Sequence, residues 1–395
     1  MAIDAKSRTR STRRLRLGMV GGGPGAFIGA VHRIAARLDD RYELVAGALA
    51  SDPARARAGA AELGIAPERA YGSFEEMAAA EKARSDRIDA VAIVTPNHLH
   101  VAPAKAFLAA GIHVICDKPL ATSLADALDL AQAVKDSGLV FGLTHNYTGY
   151  PMVRQARAMA EAGELGRIRV MQVEYPQDWL TTPLESTGHK QAEWRTDPAR
   201  SGPAGSLGDI GTHAYNLARF VSGLACEEVA ADLSTFVEGR RVDDNVHVLL
   251  RFAGGARGML WASQVAPGNE NNLQLRIYGE KAGLAWRQED PNYLWLTPHG
   301  EAPRLIRRAG AGAGPAAARA SRVPAGHPEG YLEGFAQLYS DLAEQIEAHD
   351  AGRAPDPAAL LVPGIEAGVE GMRFIAAALE SSKRNAAWVR LDAMG

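Results

Sequence analysis

The stretch LRLGMVGGGPGAFIGAVH, Leu15 to His32, leaves the fewest choices of fold: a short apolar run meets a glycine-rich turn that opens into a helical pattern. Leu15, Leu17, Met19 and Val20 suit a buried parallel strand. Gly21, Gly22, Gly23 and Gly25, with Pro24, Ala26 and Phe27 completing the turn, let the backbone take positive φ and approach a pyrophosphate without a Cβ in the way. Gly29 permits close packing of helix on strand. The helix, running to about Leu38, aims unpaired N–H groups and its positive dipole end at the phosphates. The segment reads as a dinucleotide-binding corner whose loop is longer than the tight G-x-G-x-x-G, since Gly29 lies six residues after Gly23 instead of three. An ordinary strand–helix turn has the same local pattern, so the reading depends on the rest of the chain.

At 395 residues the chain exceeds what one core usually serves, and two domains are expected. A net charge of −3 gives no electrostatic reason to expect nucleic acid or an anionic membrane as a partner. No apolar run of membrane-spanning length occurs. The two cysteines, Cys116 and Cys226, have neither C-x-x-C nor His-paired spacing, which argues against a disulfide framework or zinc and fits a cytoplasmic location. His98 and His100 form an H-x-H pair with no carboxylate or Cys to complete a shell, so no metal is expected. Residues 1–14 carry Lys6, Arg8, Arg10, Arg13 and Arg14. They are similar to a twin-arginine export signal, but the apolar region of such a signal would be the strand and turn just described, so a disordered basic tail is expected.

A second apolar strand, Tyr42 to Ala48, follows at βαβ distance, and its end selects the nicotinamide cofactor. Asp52 either holds ribose hydroxyls, as for NAD, or caps the helix begun by Pro53. Ser51 and Arg55 could instead hold a 2′-phosphate, so NAD or NADP stays open. Helices over Pro53 to Leu63 and Ser73 to Ala83 lead to a central strand, Ile88 to Val94, which ends in Thr95-Pro96-Asn97-His98-Leu99-His100. After a helix, Val101 to Ala110, His113 to Cys116 runs into Asp117-Lys118-Pro119. Pro119 biases Lys118 away from helical φ/ψ and holds its ammonium at the carboxyl end of a strand, where ligands of open α/β sheets bind.

A helix over Ser123 to Asp136 and a strand over Leu139 to Leu143 close the first half, and then the period changes. Arg169 to Tyr175, Glu228 to Val237, Asn245 to Phe252, Gly258 to Val265 and Leu273 to Gly279 are strand-like without intervening helices, with hairpin-like Gly254-Gly255 between two of them; this indicates an antiparallel sheet. Arg307 to Arg322, broken by Gly310, Gly312, Gly314 and Pro315, reads as a mobile loop able to cover a site. Helices over Leu332 to Glu347 and about Val362 to Leu379 end the chain. If Gly208-Asp209-Ile210-Gly211-Thr212-His213 is helical, Asp209 and His213 project from one face one turn apart. A carboxylate beside an imidazole raises its basicity and restricts its orientation, which suits a general base. A surface Asp–His pair is the plain alternative.

Four pieces in this order, namely the glycine loop, Thr95-Pro96-Asn97 with His100, Asp117-Lys118-Pro119 where Glu-Lys-Pro is usual, and Gly208 to His213, make the chain from about Leu15 to Leu379 resemble the Gfo/Idh/MocA oxidoreductases. The resemblance implies an α/β plus α+β protein: a Rossmann dinucleotide-binding domain over 15–145 and, over 146–395, a domain with a large open, mainly antiparallel sheet, its last helices packing back on the first domain. It implies a homodimer or homotetramer formed through that sheet. It also implies an NAD(P)-dependent, inositol-dehydrogenase-like enzyme acting on a secondary alcohol of a cyclitol, sugar or glycoside. His213 would take the hydroxyl proton, Lys118 would polarise the oxygen, and Asp209 would orient substrate and imidazole. Asn146, Tyr147 and Tyr150 stand where the family presents residues to substrate, and Trp194 and Arg195 could supply a stacking face and a hydroxyl donor. Trp194 suits core packing equally, and Asn245 and His247 share a strand face that is either the site or the sheet's outer side. Two other classes remain: a glycosidase with tightly bound NAD that oxidises its sugar transiently, and a non-catalytic cofactor sensor.

Overall fold

In the computed structural model, residues 13–395 are described, so most of the expected basic tail lies outside the described residues. Its last two positions are paired: Arg13 makes a two-pronged contact with the Asp89 carboxylate at 2.6 and 2.7 Å, and Arg14 pairs with Asp40 at 2.5 Å.

The first unit runs β1 (Leu15–Gly21), α1 (Phe27–Leu38), β2 (Tyr42–Ala48), α2 (Pro53–Glu62), α3 (Phe74–Ala83), β3 (Ala90–Val94), α4 (Val101–Ala109), β4 (His113–Cys116), α5 (Leu124–Ser137) and β5 (Phe141–Leu143). Its parallel sheet has the order β2-β1-β3-β4-β5. The whole of β3 is buried, as a central strand covered on both faces requires. Helix starts follow local chemistry: Ser73 and Ser123 accept the N–H of Glu76 and Asp126, and α5 stops at Gly138 in the left-handed region.

The second unit adds α6 (Pro151–Glu161), β6 (Ile168–Pro176), α7 (Lys190–Arg195), α8 (Pro198–Ser201), α9 (Thr212–Ser222), β7 (Cys226–Ser234), β8 (Asn245–Phe252), β9 (Arg257–Ser263), β10 (Gln274–Gly279), β11 (Ala282–Arg287), β12 (Tyr293–Pro298), β13 (Arg304–Arg307), α10 (Pro315–Ala320), α11 (Tyr331–Asp350), α12 (Ile365–Lys383) and β14 (Val389–Arg390). Among the described residues these strands form one sheet, β13-β12-β11-β10-β6-β9-β8-β7-β14, antiparallel except where β6 meets β9. The β8–β9 connection turns at Gly254 and Gly255, both at positive φ. One face of the sheet is covered by helices, with α9 against β6 and α12 against β7. The other face leaves Val170, Leu249, Met259, Tyr278 and Trp295 between 42% and 54% exposed. Leu249 stands opposite Met259 and Val170 opposite Tyr278, so apolar surface runs across four adjoining strands.

Two expectations need correction, and one open alternative closes. The stretch from Arg307 to Arg322 is not a loose loop. Buried Arg308 donates to Glu329, to Asn292 and to the Val323 carbonyl, α10 packs on α6, and Arg322 reaches Asp39 at the end of α1. A single arginine with that many acceptors orders a segment whose glycines alone would leave it free. Asn245 and His247 are settled as outer-face residues: the Asn245 side chain accepts from Trp261 Nε1 at 3.0 Å, and His247 stacks on Trp261. The sheet also continues through β11, β12 and β13, which the alternation did not mark. The final helices do return to the first unit: α11 packs along α1, and α12 against α5.

Candidate active site

The glycine turn is built for close approach. Gly21, Gly22 and Gly25 have φ of 74°, 65° and 81°, which other residues rarely adopt. Gly23 is different: its φ is not positive, but a Cβ there would meet the Leu49 carbonyl oxygen at 2.8 Å. A Cβ on Gly29 would fall 2.1 Å from the Gly22 oxygen, so α1 lies directly on the turn. Among the described residues no side chain caps α1, and its first turn carries no acid. Its leading amides and positive end are therefore left for an anion. This cradle fits the pyrophosphate of a dinucleotide. At the end of β2, Asp52 caps α2 by accepting the Arg55 N–H at 2.7 Å, and Ser51, Asp52 and Arg55 are all exposed beside the turn.

The segments after β3 and β4 are braced rather than free. His100 is fully buried, with its ring nitrogens 2.7 Å from the Pro119 carbonyl and 3.0 Å from that of Thr95. Asn97, also buried, donates to the Ser201 carbonyl across to the second unit. Both brace the loops they stand in, holding Thr95-Pro96 and the Lys118–Pro119 segment, joined by a cis peptide bond, in register. Asp117 has the same kind of duty, since one of its oxygens accepts from Lys118 N at 2.9 Å and from the Thr144 hydroxyl at 2.8 Å.

Lys118 then crosses to the second unit, donating from Nζ to the Asp209 carbonyl at 2.7 Å and to its carboxylate at 2.9 Å. The other carboxylate oxygen accepts from Arg195 Nε at 3.2 Å and Gln264 Nε2 at 2.9 Å. Burial pushes the Asp209 carboxyl up, but Lys118 and Arg195 outweigh it and hold it well below the usual range. Asp209 sits in a π-helical turn, Leu207–Gly211, that runs directly into α9, a feature common at functional sites. Arg195 lies over the Trp194 ring at 4.3 Å and near Trp179 at 5.9 Å.

His213, on the first turn of α9, does not receive the carboxylate. It is ringed by aromatic edges: Tyr147 at 4.9 Å, His145 at 5.3 Å and Tyr175 at 6.3 Å between centroids. Burial lowers its pKa most, Lys118 lowers it further, and Asp209 only partly compensates, so the ring is held neutral well below its ordinary range. The expected gain in basicity is thereby reversed. Beside it, the Tyr147 and Tyr175 hydroxyls share a 2.5 Å hydrogen bond, Tyr175 donates to Asn271 at 2.7 Å, and Asn271 accepts from Gln177 at 2.7 Å.

Lys118, Asp209, His213, Tyr147 and Arg195 are thus brought together, with Trp194 on the Arg195 side. Tyr150 is not part of this wall; it is 1% exposed and packed between Tyr147 and Trp286. Asn146 is buried with its amide nitrogen lacking a partner among the described residues. Tyr175, Trp179, Gln264 and Asn271 were not foreseen; they lie at or after the carboxyl ends of β6 and β9 or just before β10, positions that periodicity does not single out. Elsewhere His113, His349 and Asp350 cluster. His113 Nδ1 accepts the Val140 N–H, which leaves Nε2 to donate to Asp350 and offers a metal no lone pair on that ring.

Residues 15–145 match the oxidoreductase family with the NAD-binding Rossmann fold, and residues 153–285 match the GFO/IDH/MocA C-terminal domain. The chain belongs to the GFO/IDH/MocA oxidoreductases. It is 34% identical over 378 residues to the uncharacterized oxidoreductase YfiI of Bacillus subtilis, covering 95% of this chain and 96% of YfiI. An oxidoreductase from Sinorhizobium meliloti is 59% identical, with a TM-score of 0.88 over 95% of this chain and 99% of its own. An inositol dehydrogenase homolog from Azotobacter vinelandii, solved with NADH and myo-inositol, is 35% identical, with a TM-score of 0.89 over 96% and 98% of the two chains. The matched Rossmann domain, residues 15–145, is the NAD-binding part of the family's fold, and no helix among the described residues is long and apolar enough to cross a membrane.

Proposed function

We propose that this GFO/IDH/MocA oxidoreductase is an NAD-dependent dehydrogenase that oxidises one secondary hydroxyl of a polyhydroxylated ring, with a cyclitol as the leading substrate class. The observation that carries the reading is the meeting of Lys118, delivered by the loop after β4, with Asp209 and the α9 imidazole of His213. A bound nicotinamide supplies the two-electron acceptor; Gly21, Gly23, Pro24, Gly25, Ala26 and Phe27 hold its pyrophosphate end. Lys118 donates to the reacting oxygen and stabilises its alkoxide character. Asp209 aims the ammonium, accepting from Nζ with both its carbonyl and its carboxylate. His213, held neutral, takes the hydroxyl proton. Arg195, Gln264, Asn271 and the Tyr147–Tyr175 pair present donors and acceptors to the ring's other hydroxyls, which suits a substrate polar all round. Kinship with the inositol dehydrogenase homolog supports the same class and NAD over NADP. The apolar stripe over β8, β9, β6 and β10 supports a homo-oligomer assembled through the open sheet face.

The test is a screen of inositols, aldoses and glycosides with NAD and NADP separately, following absorbance of the reduced nicotinamide. Many turnovers with an inositol and NAD are expected. One equivalent or less of reduced cofactor with release of a sugar aglycone would point to the glycosidase, and cofactor binding without turnover to a sensor.

A further inference from the structure

The π turn that carries Asp209 has no cap from its own side chains; the amides that begin it are met from outside, by the two residues that precede β8. The Asp243 carboxylate is buried and takes three donors. One oxygen accepts from the Gly205 amide at 2.7 Å, and the other from the Ser206 hydroxyl at 2.7 Å and the Leu207 amide at 2.8 Å. An ionised carboxylate, which only accepts, matches that set. The Asp243 carbonyl accepts the Ser206 amide at 2.9 Å, and a Cβ on Gly205 would meet the same oxygen at 2.0 Å, so the two backbones touch. The Gly205 carbonyl in turn accepts the Asp209 amide at 2.9 Å. Asp244 holds the opposite side. Its carbonyl accepts the Gln264 amide at 2.8 Å, and the Gln264 side chain donates to the Asp209 carboxylate at 2.9 Å. The Asp244 carboxylate is itself fixed by the amides of Phe236 and Val237 and by buried Arg240. The backbone that carries Asp209 and a donor that orients its carboxylate are thus registered on one dipeptide.

We propose that Asp243 is a positioning residue for the dehydrogenase reaction, acting through Asp209 on Lys118, a role that rests on those two residues serving the reaction. Lys118 donates to both the carbonyl and the carboxylate of Asp209, so a shift of the π turn moves both acceptors of the ammonium together. A misplacement of 1 Å, even one caused far from the chemistry, costs an enzyme about 10²-fold in rate. Asparagine in place of Asp243 keeps the shape but brings two N–H groups where an oxygen stood. With its oxygen toward Gly205, the new amide faces the Leu207 N–H, donor against donor; with its oxygen toward Leu207, it faces the Gly205 N–H. The Ser206 hydroxyl can turn and accept, but a backbone amide cannot. Either way the turn loses one of its two amide anchors and must move. Nucleotide binding is insulated from that movement, because the glycine cradle is built from β1 and α1.

The experiment is a double-mutant cycle on the rate of NAD reduction by myo-inositol, with the wild type, Asp243→Asn, Asp209→Asn and the double variant, each also measured for NADH affinity and melting temperature. Single-turnover runs, which read one reduction per site over hours, keep slow variants on scale. At a temperature where it is fully folded, Asp243→Asn should be slowed by about 10- to 10²-fold with NADH affinity unmoved, and should slow the Asp209→Asn enzyme no further. A carboxylate that only stabilised the fold would cost no rate below the melting transition, or the same factor in both backgrounds; either result overturns the proposal. Should Asp243→Asn not fold, Ser206→Ala takes its place in the cycle. It removes one of the three donors, keeps both amide bonds, and should give a smaller loss that again vanishes in the Asp209→Asn background; a wild-type rate there overturns the proposal. If Asp209→Asn and Lys118→Ala are slow while Asp243→Asn keeps the full rate, only the positioning role fails. If Asp209→Asn and Lys118→Ala both keep the full rate, the reading of the site fails with it.

Discussion

Replacing Gly29 with alanine probes the cradle without touching a reacting group. The new Cβ would stand 2.1 Å from the Gly22 carbonyl oxygen and 2.5 Å from its Cα, where ordinary contact needs about 3.5 Å. Both obstacles are backbone, so no side chain can swing aside; α1 and the turn must part by more than an ångström. Overpacking of this kind costs about 1–3 kcal/mol, within a total stability of about 5–15 kcal/mol, so the variant should fold and melt some degrees lower. The displaced turn is where amides meet the pyrophosphate. Losing one charge-assisted hydrogen bond there, about 1.5–3 kcal/mol, weakens NADH about 10- to 150-fold. Fluorescence titration of NADH reads this directly. Gly25→Ala is the comparison: φ is 81° and nothing lies within 4 Å of its Cβ position, so it should show only the cost of a strained φ, about 1–2 kcal/mol. A Gly29→Ala protein that binds NADH and melts like the wild type would show that the turn does not depend on this close approach.

Three further outcomes follow from packing and charge. His32, with a pKa near 4, and His145, near 3, are buried neutral, and the unfolded chain binds protons at both from about pH 6.5 downward. Stability should therefore fall as pH drops from 6.5 toward 4, by about 1.4 kcal/mol per pH unit for each ring, and His32→Phe should flatten the slope in urea melts taken across that window. Arg308→Ala strands the Glu329 carboxylate, 2% exposed, and should cost about 3–5 kcal/mol by denaturant titration; an unchanged midpoint would show that the segment is held by other means. Met259→Glu with Leu249→Glu puts two carboxylates face to face on the open sheet and should lower the mass seen by light scattering to that of the monomer.

Much of the first unit was legible because its signals are local. A continuous apolar run such as Ala90–Val94, a serine cap and a glycine turn each act within a few residues, and they place the Rossmann elements within a residue or two. The second unit was read less completely. Strands β11 to β13 are short and half-exposed, and their pairing is fixed by cross-strand partners such as Ala285 with Trp295, not by a pattern along the chain. At the site, the motifs located Lys118, Asp209 and His213, but not who pairs with whom. The i,i+4 spacing suggested an Asp209–His213 couple; the partners that capture Asp209 come from 91, 55 and 14 residues away, and no i,i+4 rule could supply them. His100 and Asn97 have the same lesson in reverse: polar residues in a ligand-facing motif that are consumed by bracing it.

The decisive measurement is steady-state reduction of NAD by myo-inositol with the wild type, Lys118→Ala and His213→Ala, paired with NADH affinity for each. Turnover is expected in the wild type, with a loss of about 10²-fold or more in kcat for either variant and NADH binding that persists in both. Either variant turning over at the wild-type rate would remove that side chain from the reaction and contradict the assignment.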